Sequence, residues 1–183
     1  MKFLLAGLLI FISVAHADDI QVEVAREQDN TYTFNMTFVA YASVQRVVAI
    51  ITDYNRLTQL SPLIKESRVL PYHVEDVTRV ELVTQGCLLF FCKKIIRVEE
   101  ASVADDLSIK TVFVPELSDF KSGQTHWTFT SKDQHTVVNY QASMVPEFWL
   151  PPFVGPYMLK KQLHSQLLYT ANKINTLLST GAY

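Results

Sequence analysis

Leu163-His164-Ser165-Gln166-Leu167-Leu168-Tyr169-Thr170-Ala171-Asn172-Lys173-Ile174-Asn175-Thr176-Leu177-Leu178, near the end of the chain, sets the architecture. Leu163, Leu167, Ala171, Ile174 and Leu178 recur at the period of an α-helix and form one apolar stripe. Lys160, Lys161, Gln166 and Lys173 lie largely off it. The helix is expected to start between Phe153 and Tyr157 and to run to Leu178, which is long for a chain of 183 residues. A helix with one apolar stripe needs one partner surface.

The preceding sequence supplies that surface as strands. Apolar alternation marks Lys65–Tyr72, Val77–Gly86, Lys93–Ala101, Leu107–Val114, Gly123–Ser131 and Thr136–Val145. Turn-prone pairs, Glu75-Asp76, Asp105-Asp106 and Lys132-Asp133, separate several of them, as in an antiparallel meander. Further upstream, Ile20 to Val24 and Tyr32 to Ala40 alternate around a turn at Gln28-Asp29-Asn30, giving a hairpin. Ser43 stands where a helix N-cap would, before Val44, Val47, Val48 and Ile51 at helical spacing. A second short helix is expected over Asn55 to Leu60, ending before Pro62. The fold class is therefore α+β.

One helix cannot cover a twisted sheet of that size along its whole length, so a cavity is expected between them. A dry void of about 300 Å³ would cost roughly 7 kcal/mol. That approaches the entire stability of a domain, about 5–15 kcal/mol. Such a cavity must be small, wet, collapsible or occupied, and an apolar ligand would relieve the cost.

Composition narrows the function. The net charge of −2 leaves no basic surplus for phosphates, so no nucleic-acid partner is expected. The five glycines are scattered, which removes phosphate-cradling loops. His73, His126, His135 and His164 make no metal-binding spacing, so no metal or cofactor is expected. Asp53 and Tyr54 could form an acid/base pair, against the plainer reading of capping and packing. His126 should point away from Trp127, whereas His164 lies next to the helical stripe.

The first residues read as an address. Lys2 precedes an apolar run from Phe3 to Val14. Ala15-His16-Ala17 then puts small residues at −3 and −1 of a cleavage point before Asp18. The run is short of the about 20 residues that span a bilayer. Cleavage after Ala17 would separate a signal peptide, residues 1–17, from a single domain, residues 18–183, located in the periplasm or secreted. In that compartment Cys87 and Cys92 are expected to pair, the alternative being two buried thiols. Pairing requires a turn at Leu88-Leu89-Phe90-Phe91, since five residues of straight strand span about 17 Å.

With these elements in place, the chain resembles the START-like or SRPBCC superfamily. The likeness is to its polyketide cyclase/dehydrase and lipid transport type and to START-type coenzyme Q-binding proteins. The residues that carry it are Val47-Val48-Ala49-Ile50-Ile51-Thr52-Asp53-Tyr54-Asn55-Arg56-Leu57, Ser61-Pro62-Leu63-Ile64 and Ser67-Arg68-Val69-Leu70, with Pro151-Pro152-Phe153 before the last helix. The likeness covers about residues 32–178 and departs from it in an additional strand at Ile20–Arg26 and in the secretion signal. It implies a helix-grip fold, a curved antiparallel sheet around a long C-terminal helix. It also implies a hydrophobic ligand: lipid, isoprenoid quinone or polyketide-like. Two other readings stay open, a cyclase or dehydratase using the same cavity and a closed protein-interaction module. Catalysis would require a titratable residue of shifted pKa in the cavity.

Aromatic residues crowd the second half of the chain. Alternation puts Phe113, Trp127, Phe129, Tyr140 and Met144 on the concave face, with Leu163 and Leu167 opposite, as the expected pocket lining. The turn at Leu89 and Phe90 and the stretch Phe148, Trp149 and Phe153 are expected to form an apolar rim, against the alternative of a satellite core. Such a rim would allow transient membrane contact, with Lys93 and Lys94 meeting anionic head groups.

Overall fold

A computed structural model describes residues 20–27, 29–88, 91–148 and 155–181. Eight strands form one antiparallel sheet: β1 (Ile20–Arg26), β2 (Tyr32–Ala40), β3 (Ile64–Leu70), β4 (Thr78–Leu88), β5 (Phe91–Val103), β6 (Ile109–Phe113), β7 (Phe120–Lys132) and β8 (His135–Pro146). The order is β1-β2-β8-β7-β6-β5-β4-β3. The six-strand meander thus ends on β8, which pairs with β2 from Tyr32↔Met144 to Ala40↔Thr136 and adds the N-terminal hairpin to the sheet. Helix α1 (Val44–Ile51) follows β2, and α2 (Gly155–Ser179) closes the fold. This is the helix-grip arrangement.

The turns form where short polar side chains tolerate left-handed backbone. Asn30, Asp76 and Asp133 have φ of 66°, 57° and 53°. At Asp105-Asp106 the left-handed residue is instead the next one, Leu107, at φ 64°. The Asp106 carboxylate accepts from the Ser108 amide at 2.9 Å and helps hold that turn.

Two local expectations change. Ser43 occupies the N-cap position, but its side chain makes no capping hydrogen bond. The second short helix is a single 3-10 turn at Leu57–Gln59.

The core forms where α1, the sheet and the C-terminal half of α2 meet. Phe38, Val47, Val80, Val138, Ala171 and Ile174 have no measurable exposure there. Along the stripe of α2, Ala171, Ile174 and Leu178 are buried, whereas Leu163 and Leu167 are half-buried. The C-terminal half of the helix is therefore the more deeply seated, while Leu159, Leu163 and Leu167 rest on one side against a second cluster of Val24, Tyr32, Phe34 and Ala142. The N-terminal half of α2 leaves space above β3, β4, β5 and β8.

Candidate functional site

That space holds a cavity of about 520 Å³. Thr84 and Gly86 of β4, Lys93, Ile95 and Arg97 of β5, and Met144 and Pro146 of β8 line its sheet side. Leu159, Gln162, Leu163 and Gln166 of α2 line the other, with Tyr32, Leu63, Ile64, Phe120 and Phe148 completing the wall. The segment at Leu60-Ser61 is tied to α2 here: the Ser61 hydroxyl donates to Gln166 Oε1 at 2.8 Å, and the Thr170 hydroxyl donates to the Leu60 carbonyl at 3.2 Å. Left dry, this volume would cost roughly 12 kcal/mol, as much as a domain's whole stability. Water or ligand must occupy it.

A second cavity of about 150 Å³ adjoins the first, and Ile64 and Arg97 belong to both walls. Its character differs. Leu57, Leu60, Leu82, Ile109, Trp127 and Leu167 enclose a polar group made of Tyr54, Arg97, Glu99, Thr111, Thr125 and Tyr140. Glu99 is buried, and its Oε2 lies 3.1 Å from Arg97 Nε. The Nε hydrogen is not aimed at that oxygen, so the contact is an ion pair and the N–H remains without an acceptor. The Thr111 hydroxyl lies 2.9 Å from that of Thr125 and reaches Glu99 at 3.4 Å. The Tyr54 hydroxyl is buried with no partner. Burial pushes the Tyr54 and Tyr140 phenols up to about 12, with the Glu99 carboxylate adding to the shift in both and Arg97 opposing it in Tyr140. Both phenols are therefore hydrogen-bond donors at neutral pH. Chemically, this chamber offers donors to an oxygen-bearing group.

The expected lining residues separate by depth. Met144 and Leu163 line the larger cavity, and Trp127, Tyr140 and Leu167 the smaller. Trp127 and Tyr140 are directly opposed on β7 and β8, with ring centroids 4.3 Å apart. Phe113 and Phe129 line neither cavity. Phe113 lies over Gly123 and packs edge-on against Phe120 at 5.4 Å, while Phe129 packs into the core beneath α1. Phe113 is opposite Glu99 in register and sits under Arg97, so it backs the wall that Arg97 and Phe120 form, whereas Phe129 lies beyond Trp127 along β7.

Of the expected rim, Phe148 lines the larger cavity and meets Phe120 edge-on at 5.9 Å. Leu89, Phe90, Trp149 and Phe153 lie outside the described residues, as do residues 1–19 with the expected cleavage site. Cys87 and Cys92 are directly opposed on β4 and β5 and joined by a disulfide, with Leu88 paired to Phe91 beyond them. Asp53 forms an ion pair with Arg56 at 2.5 Å, away from Tyr54's chamber. His126 borders a shallow groove on the opposite face of the sheet, and His164 is exposed.

Sequence reading passed over Arg97 and Glu99. Their signal was present, because opposite charges two residues apart on a strand share one face, here the face of Ile95.

Residues 41–160 match the family described as polyketide cyclase / dehydrase and lipid transport. A comparison with curated proteins finds no match. Among solved structures, a STAR-related lipid transfer protein fragment from Xanthomonas axonopodis superposes with a TM-score of 0.69 at 17% identity, covering 89% of this chain and 95% of that one. The Zhui aromatase/cyclase from a Streptomyces species gives 0.65 at 10% identity, covering 84% and 96%. A START superfamily protein from Mycobacterium smegmatis gives 0.64 at 16% identity, covering 81% and 97%. At these identities the likeness is one of fold.

Proposed function

The chain belongs to the polyketide cyclase / dehydrase and lipid transport family, and on that premise we propose that it carries an amphipathic small molecule. A lipid, an isoprenoid quinone or a polyketide-like compound would place its apolar body in the 520 Å³ cavity and its oxygen-bearing end in the chamber at Arg97, Tyr54 and Tyr140. The observation that carries this reading is the adjacency of the two cavities across Ile64 and Arg97. An apolar space of ordinary ligand-pocket size shares Ile64 and Arg97 with a chamber in which the Tyr54 hydroxyl and the Arg97 Nε–H are buried with no acceptor of their own. A bound oxygen would satisfy them, and each unsatisfied group otherwise costs about 1–3 kcal/mol.

The carrier would act beyond the inner membrane, as a mature domain of residues 18–183 after cleavage following Ala17. The Cys87–Cys92 disulfide supports an oxidising compartment. Leu89, Phe90, Phe148, Trp149 and Phe153 would form the apolar rim of the larger cavity.

Cyclase or dehydratase chemistry is the second reading, favoured by titratable groups inside the chamber. The direction of the phenol shifts supports binding instead, because a phenol held at about 12 is far from the pKa that suits proton transfer at neutral pH. A closed interaction module is disfavoured by a cavity of this volume.

Native mass spectrometry of protein purified from its own periplasm, followed by lipid extraction, tests the proposal. A stoichiometric apolar compound bearing one polar end is the expected result. Consistently empty protein that also fails to bind a fluorescent fatty-acid probe would refute it.

A further inference from the structure

No Asp or Glu follows Glu147 in the sequence, although the chain as a whole carries a net charge of −2. Helix α2 falls entirely within this acid-free region. Its N-terminal half has two faces with different tasks. Leu159, Gln162, Leu163 and Gln166, at helical spacing, line the larger cavity. Tyr157, Lys160, Lys161 and His164 recur at the same spacing on the opposite side of the helix, and all four are exposed, Tyr157 by 70%. Neither Lys160 nor Lys161 has a carboxylate partner among the described residues. Lys93 and Lys94, by contrast, are already paired, with Asp119 at 3.4 Å and Glu66 at 3.2 Å. The free positive charge beside the cavity therefore lies on α2 and not on the hairpin.

We propose that the outward face of α2 at Tyr157, Lys160, Lys161 and His164 docks on a lipid surface bearing anionic head groups. The inference rests on the carrier reading and names the surface that carrier would meet. Charge decides the occupant. For an acidic molecule, an unopposed basic helix face favours the orientation that turns that face to an anionic surface. Tyrosine suits the interface, where its ring meets the head-group layer and its hydroxyl stays wet. One helix thickness separates this face from the cavity, so docking would hold the cavity wall itself against the lipid. The same orientation would bring ligand exchange to the surface that supplies or receives the ligand.

Flotation with the mature chain tests this. The vesicles are phosphatidylcholine alone and phosphatidylcholine with a minor fraction of phosphatidylglycerol. Binding should require phosphatidylglycerol and weaken as salt rises. Lys160→Ala with Lys161→Ala should lower affinity at least about tenfold, at roughly fivefold for each lysine. Lys132→Ala, at the distant β7–β8 turn, should change nothing. Melting temperatures and uptake of a fluorescent fatty-acid probe in free solution should match wild type in both variants. Equal binding to both vesicle types, unchanged binding of the double variant, or an equal loss with Lys132→Ala would each overturn the proposal. Absence of probe uptake by the wild-type chain would instead sink the carrier reading, while phosphatidylglycerol-dependent binding lost only in the double variant would still uphold the docking face.

Discussion

Arg97 and Glu99 form an ion pair within the concave face of the sheet, two residues apart on β5, with 24% and 6% of their side chains exposed. Glu99 also lies in reach of Thr111, so the carboxylate is held from two sides. A charge this deep is stable only while its partner is present. Arg97→Met should therefore cost about 3–5 kcal/mol in urea denaturation. Arg97→Met combined with Glu99→Leu should recover most of that loss, since replacing both partners removes the orphaned charge. A single variant as stable as wild type would show that solvent reaches Glu99 and that the chamber is not closed.

The phenols beside this pair report on the same enclosure. Their pKa values rise from 10.0 to about 12 in the folded protein. The unfolded chain thus releases these protons at lower pH than the folded one. The contribution to stability is complete below about pH 10 and is lost as pH rises from there toward 12. Among the eight tyrosines, Tyr54 and Tyr140 should titrate late by tyrosinate absorbance, together with unfolding. Tyr54→Phe and Tyr140→Phe should each remove part of the late step. Titration of every tyrosine near pH 10 in the folded protein would contradict the buried chamber.

The long helix and the meander were legible because each is a local pattern. The stripe from Leu163 to Leu178 has one period, and β6, with Ile109, Thr111 and Phe113 buried between exposed Lys110 and Val112, has the other. The β2–β8 pairing was not legible, since Asn35↔Gln141 joins residues whose meeting depends on the whole chain. The Arg97–Glu99 pair was hidden for a different reason. In Lys93-Lys94-Ile95-Ile96-Arg97-Val98-Glu99-Glu100 the charges read as a solvated edge and the isoleucine pair blurs the alternation. Phe113 shows a third limit. Alternation assigned its face, but the depth along the sheet at which a side chain meets a neighbour is set by tertiary packing.

Phe113 owes its position to Gly123. A Cβ at residue 123 would fall inside the Phe113 ring. Gly123→Ala should therefore destabilise the fold by about 1–3 kcal/mol, as overpacking does. Phe113→Leu in the same chain should offset much of that cost by opening the space. Thermal melts of the two single variants and the double variant give the coupling. Additive effects would mean that the ring moves aside freely and that Gly123 is not a packing constraint.

Gly86 presents the reverse situation. It lies on β4 opposite Lys93 and lines the larger cavity, yet a Cβ there would meet no atom within 4 Å. A side chain at residue 86 would share the face of Thr84 and project into the cavity rather than into protein. Leucine should be accommodated without overpacking, and replacing glycine within a strand should leave stability equal or slightly higher. Occupied volume should nevertheless compete with ligand. Gly86→Leu is therefore expected to weaken uptake of a fluorescent fatty-acid probe by roughly tenfold, about the 1.4 kcal/mol that loss of one well-packed apolar contact can exceed. Its melting temperature should stay at or above that of wild type. Gln85→Leu, one residue away on an exposed side chain, should leave uptake unchanged and serves as the control. Undiminished uptake by Gly86→Leu would place the ligand elsewhere and count against the larger cavity as the binding site.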